Sequence, residues 1–216
     1  GTAAASFLDI DAWTRPQWAE PEADARVHLA LLRYLPAQPP TSGRISSLFG
    51  PRQAPHGDAV GGQLRFHAGL DVAVPTGTPV VAPAPGIVVG VGYGHRLGTY
   101  VRILHEHVGL ETLLAHLSSA EPSLRRGTRV RRGQPVGRSG NSGWSTGPHL
   151  HYELRTTWGQ RPVDPLQIYS LYADALDRTS DFPIAATHAQ LPTYRIEGTL
   201  RYEARGLPTV TGTVPW

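Results

Sequence analysis

Two histidines stand one residue apart in "GPHLHYELR", residues 147–155. The stretch reads as a strand, and strand side chains alternate between faces, so His149 and His151 point the same way, ~7 Å apart along the chain. Such a pair is a metal site, a catalytic pair, or two polar residues on a solvated strand. A natural division has one ring bind a metal while the other faces the substrate. A second signal lies in "FHAGLDVAVPTGTPV", where His67 and Asp71 are four apart. Gly69, Val72, Val74 and Pro75 argue against a helix there, and a straight strand would hold the two ~13 Å apart. Only a loop around Gly69 brings them together; alone, they read as polar residues flanking a turn. His116, in "LLAHLS", is a third candidate.

The other histidines carry weaker signals. His105 and His107 form a rival His-x-His in "ILHEHVGL", but they sit at an expected hairpin end before Gly109, with no carboxylate–histidine pair to join them. A structural role suits them better. His28, His56, His95 and His188 read as surface or loop residues. Gly140, Asn141, Ser142 and Gly143, followed by Ser145 and Thr146, form a turn-rich loop leading into the histidine strand. A contact between that loop and substrate backbone is the functional alternative to simple turn chemistry.

The elements that must position these residues are short. Apolar runs such as "GLDVAV", "TPVVAP", "GIVVGVGY", "TYVRILH" and "LETLLAHL" are bounded by glycine or proline, and Gly and Pro together make 44 of 216 residues. The pattern predicts a mainly β fold with antiparallel sheet from residue 41 to about 170. "LSSAEPSL" reads as one helical turn. Residues 22–35 read as a helix, with Val27, Leu31 and Leu35 on one stripe. Pro36, Pro39 and Pro40 end that helix. "PLQIYSLYADAL" reads as a short helix, and "YRIEGTLRYEA" as a hairpin in the tail. The expected division is an N-terminal segment 1–40, a β domain 41–170 and a C-terminal extension 171–216.

Composition excludes several chemistries. The chain has no cysteine, so thiolate-bound zinc, iron–sulfur clusters, disulfides and cysteine nucleophiles are ruled out. All 20 basic residues are arginine, which removes Schiff-base and P-loop lysines. A formal charge of +3 does not by itself imply nucleic acid, and no nucleic-acid partner is expected. No apolar run approaches the ~20 residues of a membrane span. Arg125, Arg126, Arg129, Arg131, Arg132 and Arg138 form a local basic cluster, expected either to meet anionic material or to guard a sheet edge.

Three stretches, "FHAGLDVAVPTGTPVVAPAPGIVVGVGY", "LETLLAHLS" and "GQPVGRSGNSGWSTGPHLHYELR", together resemble the lysostaphin-like zinc endopeptidases of bacterial cell walls. The order matches: His-x-x-x-Asp, a lone His, then His-x-His. "GRISSLFGPR" resembles the lead-in to that domain, and the likeness covers roughly residues 41–168. The resemblance implies that His67, Asp71 and His151 bind Zn2+ and that His116 and His149 are the catalytic histidines. Two imidazoles and one carboxylate leave a zinc position open, as hydrolytic sites require, and zinc lowers the pKa of bound water towards ~7. The family often carries tyrosine two residues before the lone histidine; Leu114 stands there, which implies a lost hydroxyl, with either weaker substrate or oxyanion contacts or a replacement from elsewhere in the chain.

The same resemblance implies a zinc-dependent endopeptidase acting on the stem peptides and cross-links of peptidoglycan, periplasmic or secreted, with a monomer expected. The alternative is a non-catalytic wall-binding or hydrolase-regulating module on the same fold. A remoter reading is a small-ligand-binding β domain with incidental histidines. D-alanyl–diamine and glycine–glycine bonds both remain open as the bond cut.

Overall fold

The computed structural model describes residues 32–53 and 64–178. Thirteen strands lie among them: β1 (Arg44–Ser47), β2 (Gly50–Gln53), β3 (Leu64–His67), β4 (Leu70–Ala73), β5 (Pro79–Val81), β6 (Gly86–Gly94), β7 (Gly98–His105), β8 (Leu110–Leu117), β9 (Ser119–Ala120), β10 (Arg129–Val130), β11 (Pro135–Arg138), β12 (His149–Thr156) and β13 (Pro162–Val163). A helix, α1 (Pro165–Arg178), follows. The main sheet has the order β1-β4-β12-β8-β7-β6-β10, with β13 also on β12; β5-β11-β9 and β2-β3 make two smaller sheets. Every strand pairing among the described residues is antiparallel, as the short, glycine-bounded apolar runs lead one to expect.

Alternation along the central strands divides the main sheet into two faces. Val72 of β4, Leu150, Tyr152 and Leu154 of β12, Leu114 of β8, and Val101 and Ile103 of β7 are fully buried in one apolar cluster, and Leu70 of β4 is also fully buried. Val80 and Val136 of the second sheet join that cluster, as do Ile168, Tyr169 and Tyr172 of α1. The opposite face of β4 and β12 carries Asp71, His149 and His151. A one-residue slip of either strand would exchange the two sets, so burial of the leucines and valines fixes where the polar residues point.

Three expectations change. Residues 117–124 are not a helical turn: Ser119 and Ala120 pair with Arg138 and Gly137, and Pro122 has no amide hydrogen to continue a helix. The arginine cluster does not act as one surface. Arg132 is turned inward, its Nη2 donating to the carbonyls of Leu32, Arg33 and Leu35 at 3.1, 3.0 and 2.9 Å, with its guanidinium over the Tyr172 ring. Helix α1 runs without a break across the 170/171 boundary drawn from sequence.

Residues 32–34 are helical; Leu32 is buried and Leu35 packs partly against the core, while Val27 and Leu31 lie outside the described residues. The tail hairpin and His28, His56 and His188 also lie outside them. His95 is exposed. No helix among the described residues is long and apolar enough to cross a membrane.

Candidate metal centre and active site

Register brings the separated motifs together. On β12, His151 stands opposite Asp71 and His149 opposite Ala73. His67 ends β3, and the chain bends through Ala68 and Gly69 into β4. That bend needs glycine: a Cβ at position 69 would lie 2.3 Å from the Tyr152 carbonyl oxygen. The loop around Gly69 therefore folds His67 back over Asp71, which a straight strand forbids.

His67 Nε2, Asp71 Oδ1 and His151 Nδ1 converge. The Nε2–Oδ1 separation is 3.1 Å, Nε2–Nδ1 is 3.2 Å, and Nδ1–Oδ1 is 2.7 Å. Ligands ~2.0–2.1 Å from a tetrahedral ion are spaced about 3.3 Å apart, so the three atoms fit one small cation with a position left over. His67, Asp71 and His151 are all buried.

The remaining polar atom of each residue is also held. His67 Nδ1–H donates to the Leu48 carbonyl at 2.7 Å. His151 Nε2–H donates to Glu153 Oε1 at 2.9 Å, and Arg155 Nε donates to Glu153 Oε2 at 2.6 Å. Asp71 Oδ2 accepts from Arg52 Nη1 at 3.0 Å. A ligand histidine whose second nitrogen donates to an oxygen is the usual outer support of a metal site. Burial alone would push the Asp71 carboxyl up, but the hydrogen bonds and charges of His151 and His67 hold it far below the usual carboxylate range. Burial pushes His151 down, and the bonds to Asp71 and Glu153 outweigh it and raise the ring. The pocket thus favours positive charge at its centre. A metal there would displace the proton that His151 otherwise keeps.

His116 reaches this centre by a distortion. In regular alternation it would share the core face with Leu114. Instead, β8 gains a residue against β7 between the pairs Val101–Leu114 and Thr99–Leu117. His116 has φ 58° and donates its backbone N–H to the Leu97 carbonyl. The bulge re-aims the ring across the sheet, a recurrent use of bulges beside active sites. Its ring centroid lies 4.7 Å from that of His149 and 5.7 Å from that of His151.

The loop from Gly140 to Gly147 orients both rings. His116 Nδ1–H donates to the Ser142 carbonyl and His149 Nδ1–H to the Gly147 carbonyl, each at 2.8 Å. Carbonyl oxygens only accept, so both Nε2 atoms are left free of protons in the neutral rings. His149 Nε2 lies 3.6 Å from Asp71 Oδ1. Burial lowers His116 to about 4, keeping it neutral at ordinary pH. Turn chemistry in this loop thus has a consequence for the site. Beside it opens a cleft of about 420 Å³, lined in part by Ser46, Arg52, Ala73, Thr146 and His149.

Leu114 is fully buried in the core. Position 114 therefore does not offer its side chain to the cleft. Glu153, Arg155 and Arg52 were missed by sequence reasoning. Glu153 had a signal: it stands two residues after His151 and shares its face. Arg52 had none, because only the β2–β3 pairing carries it to Asp71.

A buried cluster of two imidazoles and a carboxylate, beside two further histidines oriented by backbone carbonyls, defines a metal-dependent hydrolase type of site. Residues 65–165 match the family described as Peptidase family M23, and the chain carries an M23 peptidase domain. It is 44% identical over 125 residues to the DD-carboxypeptidase/endopeptidase Mpg of Neisseria meningitidis, covering 58% of this chain and 27% of that one. It is 43% identical over 124 residues to the peptidoglycan DD-endopeptidase ShyA of Vibrio cholerae, covering 57% and 27%. The chain spans about a quarter of the length of these curated relatives. Among solved structures, a zinc-containing peptidase from Vibrio cholerae aligns with TM-score 0.51 and 32% identity over 60% of this chain and 40% of that one. The catalytic domain of lysostaphin from Staphylococcus simulans aligns with TM-score 0.50 and 27% identity, covering 58% and 90%.

Proposed function

We propose that the chain is a zinc-dependent endopeptidase that hydrolyses peptide cross-links of peptidoglycan. The observation that carries this reading is the convergence of His67 Nε2, Asp71 Oδ1 and His151 Nδ1, each fixed through its other polar atom. His67, Asp71 and His151 hold the metal. Zinc suits two nitrogens and one oxygen, and when bound it supplies a Lewis acid and an acidified water. His116 and His149 act on the substrate beside it. A carbonyl fixes Nδ1 of each ring and leaves Nε2 on the other side, where it can take a proton or return one to the leaving amine.

The names of the relatives support peptidoglycan as substrate and direct D,D cross-links as the bond class. Such a substrate places the protein outside the cytoplasmic membrane. The test is digestion of purified peptidoglycans with direct and with glycine-bridged cross-links, with mass analysis of released peptides. Chelator should stop release and added zinc restore it. Full zinc occupancy with no released peptide would instead favour a wall-binding module.

A further inference from the structure

Arg52 stands at the edge of the metal cluster with only part of its guanidinium engaged. Nη1 donates to Asp71 Oδ2 at 3.0 Å and to Ser47 Oγ at 2.6 Å. Among the described residues, Nε and Nη2 have no partner. Those two nitrogens form the side-on edge of the guanidinium, the pair of parallel donors that matches a carboxylate. The side chain is about one-third exposed and lines the same cleft as His149. Around it the cleft is small or neutral: Ser46, Ser47, Ala73 and Thr146. Asp71 is the acid beside it, and its carboxylate faces Arg52 with one oxygen and the metal cluster with the other. A fixed cation with two free donors, one side chain away from the reacting centre, recognises an anion carried close to the scissile bond.

The chemistry of the cross-link supplies such an anion in one bond class and not in the other. In a direct D-alanyl–diamine link, the carbon bearing the leaving amine also bears a free carboxylate. The same holds for a C-terminal dipeptide cut by a carboxypeptidase. Inside a glycine bridge, the corresponding carbonyl is an amide and carries no charge.

We propose, building on the peptidase reading of the cleft, that Arg52 forms a carboxylate subsite that selects peptides whose leaving amine stands next to a free carboxylate. Arg52 then has two roles: Nη1 orients Asp71, and the Nε–Nη2 edge reads the substrate. Lysine could supply charge at this position but not the paired donors.

The test uses two cross-linked peptides, identical except that the carboxyl beside the leaving amine is free in one and amidated in the other. The zinc-loaded protein should cleave the free acid with kcat/KM roughly 10- to 100-fold above the amide, the scale of hydrogen bonds to a charged group. In Arg52→Gln that ratio should fall to near one, whatever the variant's overall rate, with zinc content measured alongside. Equal rates on both peptides by the unmodified protein would overturn the subsite. So would a preference that survives in zinc-loaded Arg52→Gln. Calorimetric binding of the two peptides reads the subsite without turnover. Tighter binding of the free acid with no cleavage of either peptide would uphold the subsite and reject the peptidase reading, whereas equal affinities would overturn the subsite itself.

Discussion

The chain contains two His-x-His pairs, and they have different fates. His149 and His151 lie within β12 and share the sheet face that carries Asp71, with His149 lining the cleft. His105 is the last residue of β7, and His107 belongs to a short 3-10 turn, Glu106–Val108, closed by Gly109 with φ 62°. The strand ends between the members of the second pair, so alternation no longer binds their directions. His105 turns into the interior, where its Nδ1–H donates to the Pro85 carbonyl and its Nε2 accepts from Thr112 Oγ1, each at 2.8 Å. His107 instead lies against Tyr34, with ring centroids 4.0 Å apart and the planes tilted by 38°. No third ligand completes a metal site around either; among the described residues, His67, Asp71 and His151 form the one such group. Spacing within a strand puts two rings on one face, and cross-strand register decides what they meet.

Substitution breaks the comparison most severely at the β12 centre. His67→Ala, Asp71→Ala and His151→Ala each leave two protein ligands, and hydrolysis of cross-linked peptide should fall to the uncatalysed background. His116→Ala and His149→Ala should come next, each losing roughly 10²-fold or more in kcat, the scale of a positioned acid–base group. Near-normal turnover in either would remove that residue from the reaction.

The His105 site makes a prediction of the opposite kind, with stability as its readout. Burial lowers this ring from 6.5 to about 4, so the folded protein holds it neutral. The unfolded chain protonates at higher pH than the folded one. Stability from this group is therefore complete above pH 6.5 and is lost as pH falls towards 4, by up to ~3 kcal/mol. Denaturant melts between pH 7 and 4 should show this slope in the unmodified protein and a shallower one in His105→Gln. The smallest effect belongs to His107→Ala, which should change stability by about 0.5 kcal/mol or less and leave turnover unaltered. A loss of metal or activity there would erase the distinction between the two pairs.

Much of this architecture is legible in the residues. The glycine-bounded apolar runs mark the strands, and alternation in "HLHYELR" places two rings and Glu153 on one face. The likeness of the three motifs to cell-wall endopeptidases names five residues that the fold then brings together. Other features depend on long-range pairing. His116 has the wrong parity for the face of the metal cluster, and only the bulge against β7 turns it beside His149. Arg52 meets Asp71 through the β2–β3 hairpin, without any local pattern to announce it. The carbonyls of Ser142 and Gly147 are backbone atoms, so their hold on His116 and His149 leaves no mark in side-chain identity. Arg132 illustrates the converse: it belongs to a basic run in sequence, yet it is turned inward onto the carbonyls of residues 32–35.

The central claim is that neighbouring rings on β12 divide the work, with His151 on the metal and His149 on the substrate. The most direct measurement is zinc bound per chain in His149→Ala and His151→Ala, purified in parallel and checked for folding by circular dichroism. The account predicts close to one zinc in the folded His149 variant and little or none in the folded His151 variant. Zinc lost from His149→Ala and retained by His151→Ala would contradict it.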